Sequence, residues 1–424
     1  MVLLLAGFAV PTARAGDLAD LLGELYGGDG ITLAPTGHQA HFTGESLVEL
    51  NTFSEDLTSA LGGFAANSTV SSYTFDLELG VPVRTSDSLG PIVSERATTI
   101  GGRRVNVGFS YNRIDYKHFE GDDLNDITLY FNHQDANGDG VIGPNPATDV
   151  EVDRVRINLD VNLGQDVYAI YGTLGIFDNL DLSLSIPIVT VDLEGKALAS
   201  IDRKAVRVTD MNGDLVDCPG EVDEDGNPVP PGASECVHQF AEPPEPGDPE
   251  ASSVKGHSSG IGDILLRGKY HFLSAEERWR PNLAFVGQVR FPSGNQDELL
   301  GTGDWRGMMM LVADHTYGRF SPHINLGYEI VGGNHTLSNF RYIVGFDARV
   351  HPRATAVIDL LGRWEPEGDG IGDNLIDAAI GGKFNAWRSL VLVANFIVPL
   401  NRNLGLRPDF VWALGVEYTF GGPG

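Results

Sequence analysis

The last regular stretch of the chain, Asp409-Phe-Val-Trp-Ala-Leu-Gly-Val-Glu-Tyr-Thr-Phe420, decides the fold class. Its even-numbered positions are all apolar and rich in aromatic residues, whereas its odd-numbered positions are mostly small, polar or charged. A repeat of two is the spacing of a β-strand with two unlike faces, and this one is long enough to cross a bilayer obliquely. Because a lone strand in lipid leaves its N–H and C=O groups unpaired, the stretch predicts a closed barrel of many similar strands.

The overall composition agrees with an exported barrel. Lys and Arg number 29 and Asp and Glu 58, which gives a net charge of −29. Such a surface repels nucleic acid, so we predict no nucleic-acid partner. No apolar run reaches the roughly 18 residues of a membrane-spanning helix, and a barrel hides its hydrophobicity in alternation.

The first 66 residues differ in pattern from the rest. An apolar run at residues 2–10 ends at Ala13-Arg14-Ala15, which predicts a signal peptide over residues 1–15; a buried N-terminal helix is the alternative. Leucines at helical spacing then predict short amphipathic helices within residues 16–66. This region is either a plug or hatch inside the barrel or a periplasmic tail.

From residue 69 onward, alternating stretches recur up to the closing strand. Short turns alternate with longer loops rich in Gly and Asp, which is the asymmetry of outer-membrane barrels. Residues 67–420 therefore predict an all-β, transmembrane antiparallel β-barrel of about 14 strands, with a small, partly helical N-terminal plug or tail. We expect residues 69–82 to form the first strand and to pair with the last. A soluble β-sandwich, the main alternative, does not explain charge on one face of strand after strand.

One long segment interrupts the alternation. Residues 201–258 are acidic and rich in proline, and we predict a largely irregular extracellular loop. The chain's two cysteines, Cys218 and Cys236, lie inside this loop, and we expect an exported protein to join them in a disulfide.

Two repeated features stand at strand ends. The form Gly-x-Gly-Asp occurs three times and places Asp263, Asp304 and Asp373 on the inward parity near the outer mouth. These acids either stabilise the turns through structural ion pairs or form a ring that selects cations. Prolines follow apolar residues at four strand ends, where they either terminate strands or open a kink or lateral gap for an apolar solute; they are Pro82, Pro187, Pro292 and Pro399.

Some of the alternate residues predicted to face the lumen are apolar, although a water-filled channel does not need apolar residues there. They either pack against loops and the N-terminal segment or form a path for hydrophobic solutes. The residues are Val286, Met308, Met310, Val312, Val357, Leu361, Val391, Val393 and Ile397.

Two local motifs suggest other chemistry. Asp135, Asn137 and Asp139, followed by Gly140, resemble the first half of a calcium loop, although Pro146 stands where a bidentate acid belongs. Calcium binding and a solvated hairpin loop are the alternatives. Gly256-His-Ser-Ser-Gly260 matches an esterase pattern, but that chemistry needs a strand, a strained turn and a helix. We therefore predict no enzymatic activity.

The chain resembles outer-membrane transporters of hydrophobic compounds, the superfamily of long-chain fatty acid and aromatic-hydrocarbon channels, and most of all the branch associated with phenol meta-pathway degradation. The residues that carry the resemblance are 171–187, Gly260-Ile-Gly-Asp-Ile-Leu-Leu-Arg-Gly-Lys-Tyr270, Arg290-Phe-Pro-Ser-Gly-Asn295 and the closing strand. The superfamily implies a fourteen-stranded barrel with an N-terminal hatch and passive uptake without a cofactor. The chain departs from the superfamily pattern in two ways. The asparagine-proline-alanine signature of the fatty-acid hatch is absent from residues 16–66, and four residues follow the terminal aromatic Phe420.

The sequence thus predicts an outer-membrane channel of a Gram-negative bacterium for passive uptake of hydrophobic or aromatic small molecules. Its expected partners are the lipid bilayer, the solutes and the outer-membrane assembly machinery. Calcium is the one ion that the motifs suggest. The alternatives are a structural or adhesive surface barrel acting through its acidic loop, and a cation-selective porin.

Overall fold

The computed structural model describes most of the chain from Leu89 onward and short stretches before it. The described residues are Leu18, Leu21, 33–34, 73–76, 81–84, 89–133, 154–202, 207–209, 215–217, 239–240, 250–275, 280–333, 335–366 and 373–420. Within these ranges, no helix is long and apolar enough to cross a membrane. The regular structure is almost entirely β, with a 3-10 turn at His335–Leu337.

The strands are numbered in chain order. The first twelve are β1 Leu33–Ala34, β2 Tyr73–Asp76, β3 Val81–Arg84, β4 Val105–Phe119, β5 Asp122–Asp123, β6 Ile127–Asn132, β7 Arg154–Phe177, β8 Leu180–Asp202, β9 Arg207–Thr209, β10 Leu215–Asp217, β11 Gln239–Phe240 and β12 Glu250–Ile261. The others are β13 Ile264–Leu273, β14 Asn282–Phe291, β15 Arg306–Asp314, β16 Phe320–Val331, β17 Asn339–His351, β18 Ala354–Glu365, β19 Asp373–Trp387, β20 Leu390–Pro399 and β21 Leu406–Phe420.

Twelve strands close into one antiparallel barrel, in the order β8-β13-β14-β15-β16-β17-β18-β19-β20-β21-β4-β7, with β7 pairing back onto β8. Three further strands, β5, β6 and β12, extend the same sheet. The predicted all-β barrel is therefore present, and the expected count of about fourteen lies between the twelve strands of the closed ring and the fifteen of the whole sheet. The partly helical N-terminal plug stays a prediction, since residues 16–66 are described only at Leu18, Leu21 and β1.

The closing strand has a different partner from the expected one. β21 pairs with β4, from Leu406 opposite Phe119 to Phe420 opposite Val105. The region of residues 69–82 instead contributes β2 and β3, which pair with each other as a separate hairpin. The prediction of this partner was wrong because alternation identifies the two faces of a strand and not the neighbours along its edges.

The two longest strands extend well beyond the membrane. β7 has 24 residues and β8 has 23, whereas about 9–11 tilted residues are enough to cross a bilayer. In the half of β7 near the turn at Asp178, the outward-facing residues Tyr168, Ile170 and Leu174 are apolar and exposed. In the other half, the outward-facing Asn158 and Asn162 are polar. This change of polarity on one face marks the boundary between lipid and water.

The inward face of β7 changes in the opposite sense. Below the boundary it carries Thr173 and Tyr171, and above it Leu163, Val161 and Leu159, all of them buried. β8 follows the same rule, with Ser185 low in the barrel and Val191 high. The outer part of this hairpin is thus polar outside and apolar inside, as in a water-soluble protein.

The remaining barrel strands present an apolar exterior to lipid. Leu326, Ile380 and Trp412 are 50%, 58% and 50% exposed although they are large and apolar. Such a continuous exposed surface is explained by contact with hydrocarbon. Exposed aromatic residues lie near both ends of the strands: Phe320, Trp387 and Phe420 near the short turns, and Phe291, Trp305, Trp364 and Phe410 near the long loops.

The segment expected to form the acidic loop is partly regular. Residues 250–258 belong to β12, which pairs with β8 over its whole length. The prediction of an irregular chain up to residue 258 was therefore wrong at this end. The esterase-like motif lies inside β12, where Ser258 Oγ donates a hydrogen bond to the carbonyl oxygen of Glu298 at 2.6 Å. A straight strand lacks the strained turn that a nucleophilic serine requires.

The boundary between lipid and water on β7 can be tested with two arginine substitutions on the same face of the strand, one on each side of the boundary. We expect Ile170→Arg to block assembly, because a lipid-facing arginine costs about 2–4 kcal/mol near the membrane midplane. Asn162→Arg faces water and should assemble like the wild type. The measurement is the fraction of heat-modifiable, folded protein in outer-membrane extracts, and equal yields of the two variants would contradict the boundary.

Candidate functional site: a lumen closed by an irregular segment

Residues 89–104, which we call the luminal segment, run across the inside of the barrel before β4 begins. Backbone N–H groups of this segment donate to inward-facing side chains: Leu89 to Thr355 Oγ1 at 2.9 Å, Glu95 to Asn325 Oδ1 at 2.7 Å, Ala97 to Asp314 Oδ1 at 2.7 Å and Ile100 to Asp181 Oδ2 at 2.9 Å. Because the segment has no regular structure, wall side chains satisfy its buried polar backbone. These contacts lie near the short-turn end of the lumen.

Two charged residues anchor the middle of the luminal segment. Arg96 Nη2 donates to both carboxylate oxygens of Asp347, at 2.9 and 3.1 Å, and both side chains are buried. The Glu95 carboxylate pairs with Arg267 and, at 3.3 Å, with Lys269 Nζ. Removing one partner of such a pair leaves a buried charge without compensation, which costs about 3–5 kcal/mol. The segment is therefore held by interactions that are costly to break one at a time.

A third anchor joins Ser94 to His323 and Asp359. Ser94 Oγ lies 2.8 Å from His323 Nε2, and the same nitrogen lies 2.7 Å from Asp359 Oδ1. A nucleophilic serine site needs its serine and its acid on different ring nitrogens. Here both use Nε2, and Nδ1 lies 3.9 Å from Asp347 Oδ1, beyond hydrogen-bonding distance, so the cluster holds the luminal segment and does not activate the serine.

Several residues of the predicted apolar path pack against the luminal segment. Val286, Met308, Met310 and Val312 form a buried cluster with Ala97. Val357 and Val391 are buried inside the barrel, Val393 is half-buried, and Ile397 and the half-buried Leu361 belong to a larger cluster farther out. The structure thus places these side chains on the inward face, and passage of a solute along them stays a prediction.

That larger cluster, which we call the outer apolar cluster, lies toward the outer end of the barrel. It gathers inward-facing residues of β6, β7 and β8 with residues of β4, β19, β20, β21 and the loop after β14; those from β7 and β8 are Val155, Ile157, Leu159, Val161, Leu163, Val167, Val189, Val191, Leu193, Ala197 and Ala199. Leu18 and Leu21 of the N-terminal region are buried within it.

The N-terminal leucines depend on a glycine in the wall. A Cβ atom at Gly256 in β12 would lie 2.5 Å from Leu21 Cδ1 and 3.2 Å from Leu18 Cγ. The absence of a side chain at Gly256 therefore lets Leu18 and Leu21 pack directly against the strand.

The three predicted mouth acids have different positions. Asp263 is buried and accepts hydrogen bonds from Gly294 N at 3.1 Å, Thr302 N at 2.9 Å and Thr302 Oγ1 at 2.7 Å, so it fastens the loop between β14 and β15. Asp304 is half-buried just before β15. Asp373 is the first residue of β19, and its side chain lies outside the described residues. Selection of cations by a ring of these acids stays a prediction.

The four prolines also differ. Pro187 pairs with Ala169 inside the continuous β7–β8 ladder, and on its other side its carbonyl oxygen accepts a hydrogen bond from Gly262 N at 2.9 Å. Pro399 ends β20 and pairs with Asp377 in β19. Pro292 directly follows β14, and Pro82 lies in the β2–β3 hairpin. In the described barrel strands, pairing therefore continues past Pro187 and extends as far as Pro399.

Two predicted features lie outside the described residues: the calcium motif at Asp135, Asn137 and Asp139, and the disulfide between Cys218 and Cys236. Within the described ranges, no group of three or more His, Cys, Asp or Glu side chains is placed to hold a metal ion.

The sequence pattern does not reveal the luminal segment, which lies within residues 67–420, the predicted barrel. Its signal is a gap in the alternation between β3 and β4, in which the charged pair Glu95-Arg96 stands among Ile92, Val93 and Ala97. The luminal segment differs from a solvated loop in one feature: it has two adjacent opposite charges inside an apolar stretch that is not a strand.

The model of the family described as "Putative MetA-pathway of phenol degradation" matches residues 134–369. No curated protein sequence matches the chain.

Similar solved structures include an outer membrane channel from Pseudomonas putida F1, at 12% identity over 77% of this chain and 99% of that one, with a TM-score of 0.43. The Ralstonia pickettii toluene transporter TbuX is 10% identical over 79% and 95% of the two chains, with a TM-score of 0.34. A Pseudomonas aeruginosa FadL homologue is 12% identical over 74% and 89%, with a TM-score of 0.29.

The Arg96–Asp347 pair predicts how tightly the luminal segment closes the lumen. Asp347→Asn should loosen the segment by leaving Arg96 without its carboxylate, and ion conductance in planar bilayers should rise above that of the wild type. Asp160→Asn removes a carboxylate from the outer face of β7 and should leave conductance unchanged. A folded Asp347→Asn barrel with wild-type conductance would show that this pair does not hold the closure.

Proposed function

The chain belongs to the phenol MetA-pathway family, and on that premise we propose that it is an outer-membrane channel of a Gram-negative bacterium for passive uptake of hydrophobic or aromatic small molecules. The observation that carries the proposal is the outer apolar cluster at the outer end of the barrel. A general porin has a polar lumen, whereas here the inward positions of β7 and β8 above the membrane are apolar. Apolar surface gains about 25 cal/mol per Å² when it leaves water, so this region favours apolar solutes.

The luminal segment supports a channel that does not leak water-soluble compounds. Its anchors lie on β8, β15, β16, β17 and β18, and so reach across the lumen. A solute moving inward would first meet the outer apolar cluster and then the cluster of Ala97, Met308 and Met310. Complete passage to the periplasmic end requires the luminal segment to rearrange.

The proposed transport is passive and needs no cofactor. Calcium bound at Asp135, Asn137 and Asp139 would stabilise a loop and would take no part in transport. The partners are the lipid bilayer, the transported solutes and the machinery that assembles outer-membrane barrels. We propose that this machinery reads the aromatic end of β21, where Tyr418 and Phe420 face outward with ring centroids 4.5 Å apart.

Solute uptake into proteoliposomes tests the proposal. The wild type should accelerate entry of toluene, and Val191→Asp, which buries a carboxylate in the outer apolar cluster, should reduce the rate by at least about tenfold, since an unpaired buried charge costs several kcal/mol. Asp192→Asn changes the next residue of β8 on its outer, solvated face and should transport like the wild type.

The other outcomes point to the alternative functions. A folded wild-type barrel that moves no apolar solute would contradict the proposal and favour a surface role for the acidic loop. A conductance whose cation selectivity disappears when Asp263, Asp304 and Asp373 are neutralised would favour a porin.

A further inference from the structure

Four arginines on neighbouring strands line the outer part of the lumen, and we call them the arginine belt: Arg290 in β14, Arg306 in β15, Arg341 in β17 and Arg363 in β18. Arg290 stands directly opposite Arg306 in the β14–β15 register, and Arg341 stands opposite Arg363 in the β17–β18 register. Like charges in directly opposed positions destabilise a sheet. The arrangement therefore costs stability unless negative charge is supplied between the strands.

Wall carboxylates compensate only part of the belt. Glu329 Oε1 accepts from Arg341 Nη2 at 2.9 Å, but it lies 3.7 Å from Arg306 Nη1, beyond hydrogen-bonding distance. Glu365 Oε1 lies 3.0 Å from Arg363 Nε. Nearby, both oxygens of Asp263 accept hydrogen bonds from the loop after β14, and Asp377 is paired with Arg407 outside the belt.

Arg290 forms no ion pair within 4 Å with a described carboxylate, although Glu329 and Asp263 lie close enough to interact with its charge. It is 2% exposed, and in the described part of the chain neither its Nε nor its Nη1 has a hydrogen-bond partner. Nε of the neighbouring Arg306 is likewise buried without a partner there. A buried guanidinium with unused donors is expensive unless an anion binds it. The two opposed guanidinium groups therefore carry buried N–H donors that no described residue uses.

Apolar residues border these two arginines, beside the carboxylates of Glu329 and Asp263. Leu265 faces Arg290 from β13, and Val331 faces Arg306 from β16; both are buried. Met308 occupies the next inward position on β15. An inorganic anion would exchange its hydration for this apolar wall, whereas an organic acid presents an apolar body to it. The planar guanidinium fork fits a carboxylate with two parallel hydrogen bonds.

We propose that Arg290 and Arg306 form a binding site for the carboxylate of an amphipathic organic acid, whose apolar body lies against Leu265, Val331 and Met308. The inference rests on the proposed function in solute uptake and narrows its substrate class. The channel then distinguishes ionised organic acids from neutral compounds of the same shape. Arg341 and Arg363 add positive potential that draws the anion into the outer lumen.

The test compares benzoate with its neutral isostere benzamide in proteoliposomes that contain the full-length protein. The wild type should transport benzoate faster than benzamide. Arg290→Gln should lower benzoate flux by about tenfold, the order of one charge-assisted hydrogen bond, and leave toluene and benzamide flux unchanged. Arg290→Lys keeps the charge without the planar fork, so its benzoate flux should lie between those of the wild type and Arg290→Gln. Arg113→Gln, on the outer face of β4 beside Asp166, is the matched control and should match the wild type.

The outcomes separate this inference from the proposed function. Toluene transport with an unchanged benzoate-to-benzamide ratio in Arg290→Gln overturns the anion site and leaves the proposed function standing. Absence of toluene transport in the wild type overturns the proposed function instead. If Arg290→Gln fails to assemble, thermal unfolding of the wild type decides: a larger rise in midpoint with benzoate than with benzamide or inorganic phosphate supports the site, and equal rises overturn it.

Discussion

The buried ion pairs between the luminal segment and the barrel wall are the interaction on which the rest of the lumen depends. A charge removed from water must find an opposite charge and further hydrogen bonds, or it destabilises the fold. Glu95 and Arg96 meet this condition with Lys269, Arg267 and Asp347, while neighbouring backbone groups bind other wall side chains. The wall charges that face the inner half of the lumen are thus arranged to fit one particular piece of chain.

The same condition explains the contrast between the two ends of the lumen. At the inner end, the luminal segment supplies partners for the wall charges. At the level of Arg290 and Arg306, no described residue accepts a hydrogen bond from Nε or Nη1 of Arg290. Farther out, the inward-facing residues of β7 and β8 are apolar. The barrel is therefore layered along its axis, from a paired charged layer through an arginine layer to an apolar one.

Much of the barrel was predictable from the sequence because each strand shows its two faces directly. In β21, Trp412 and Leu414 face outward and Val411 and Glu417 face inward, as the alternation predicts. The partner of β21 was not predictable, since edge pairing depends on contacts far apart in the chain. The luminal segment was missed because an irregular chain bonded to side chains has no period to detect. The bonds of Asp263 to Thr302 depend on a loop conformation that a repeated tetrapeptide does not reveal.

The hairpin of β7 and β8 keeps one register from Arg154 opposite Asp202 to Gly175 opposite Asp181. Along this length the same alternate residues face inward. The outer face passes from lipid to water, and the inner face passes from the channel to an apolar core. Removing a single residue would exchange the two faces of all that lies beyond it. The hairpin can therefore change its length through evolution only in steps of two residues in each strand, or by way of a bulge that restores the parity.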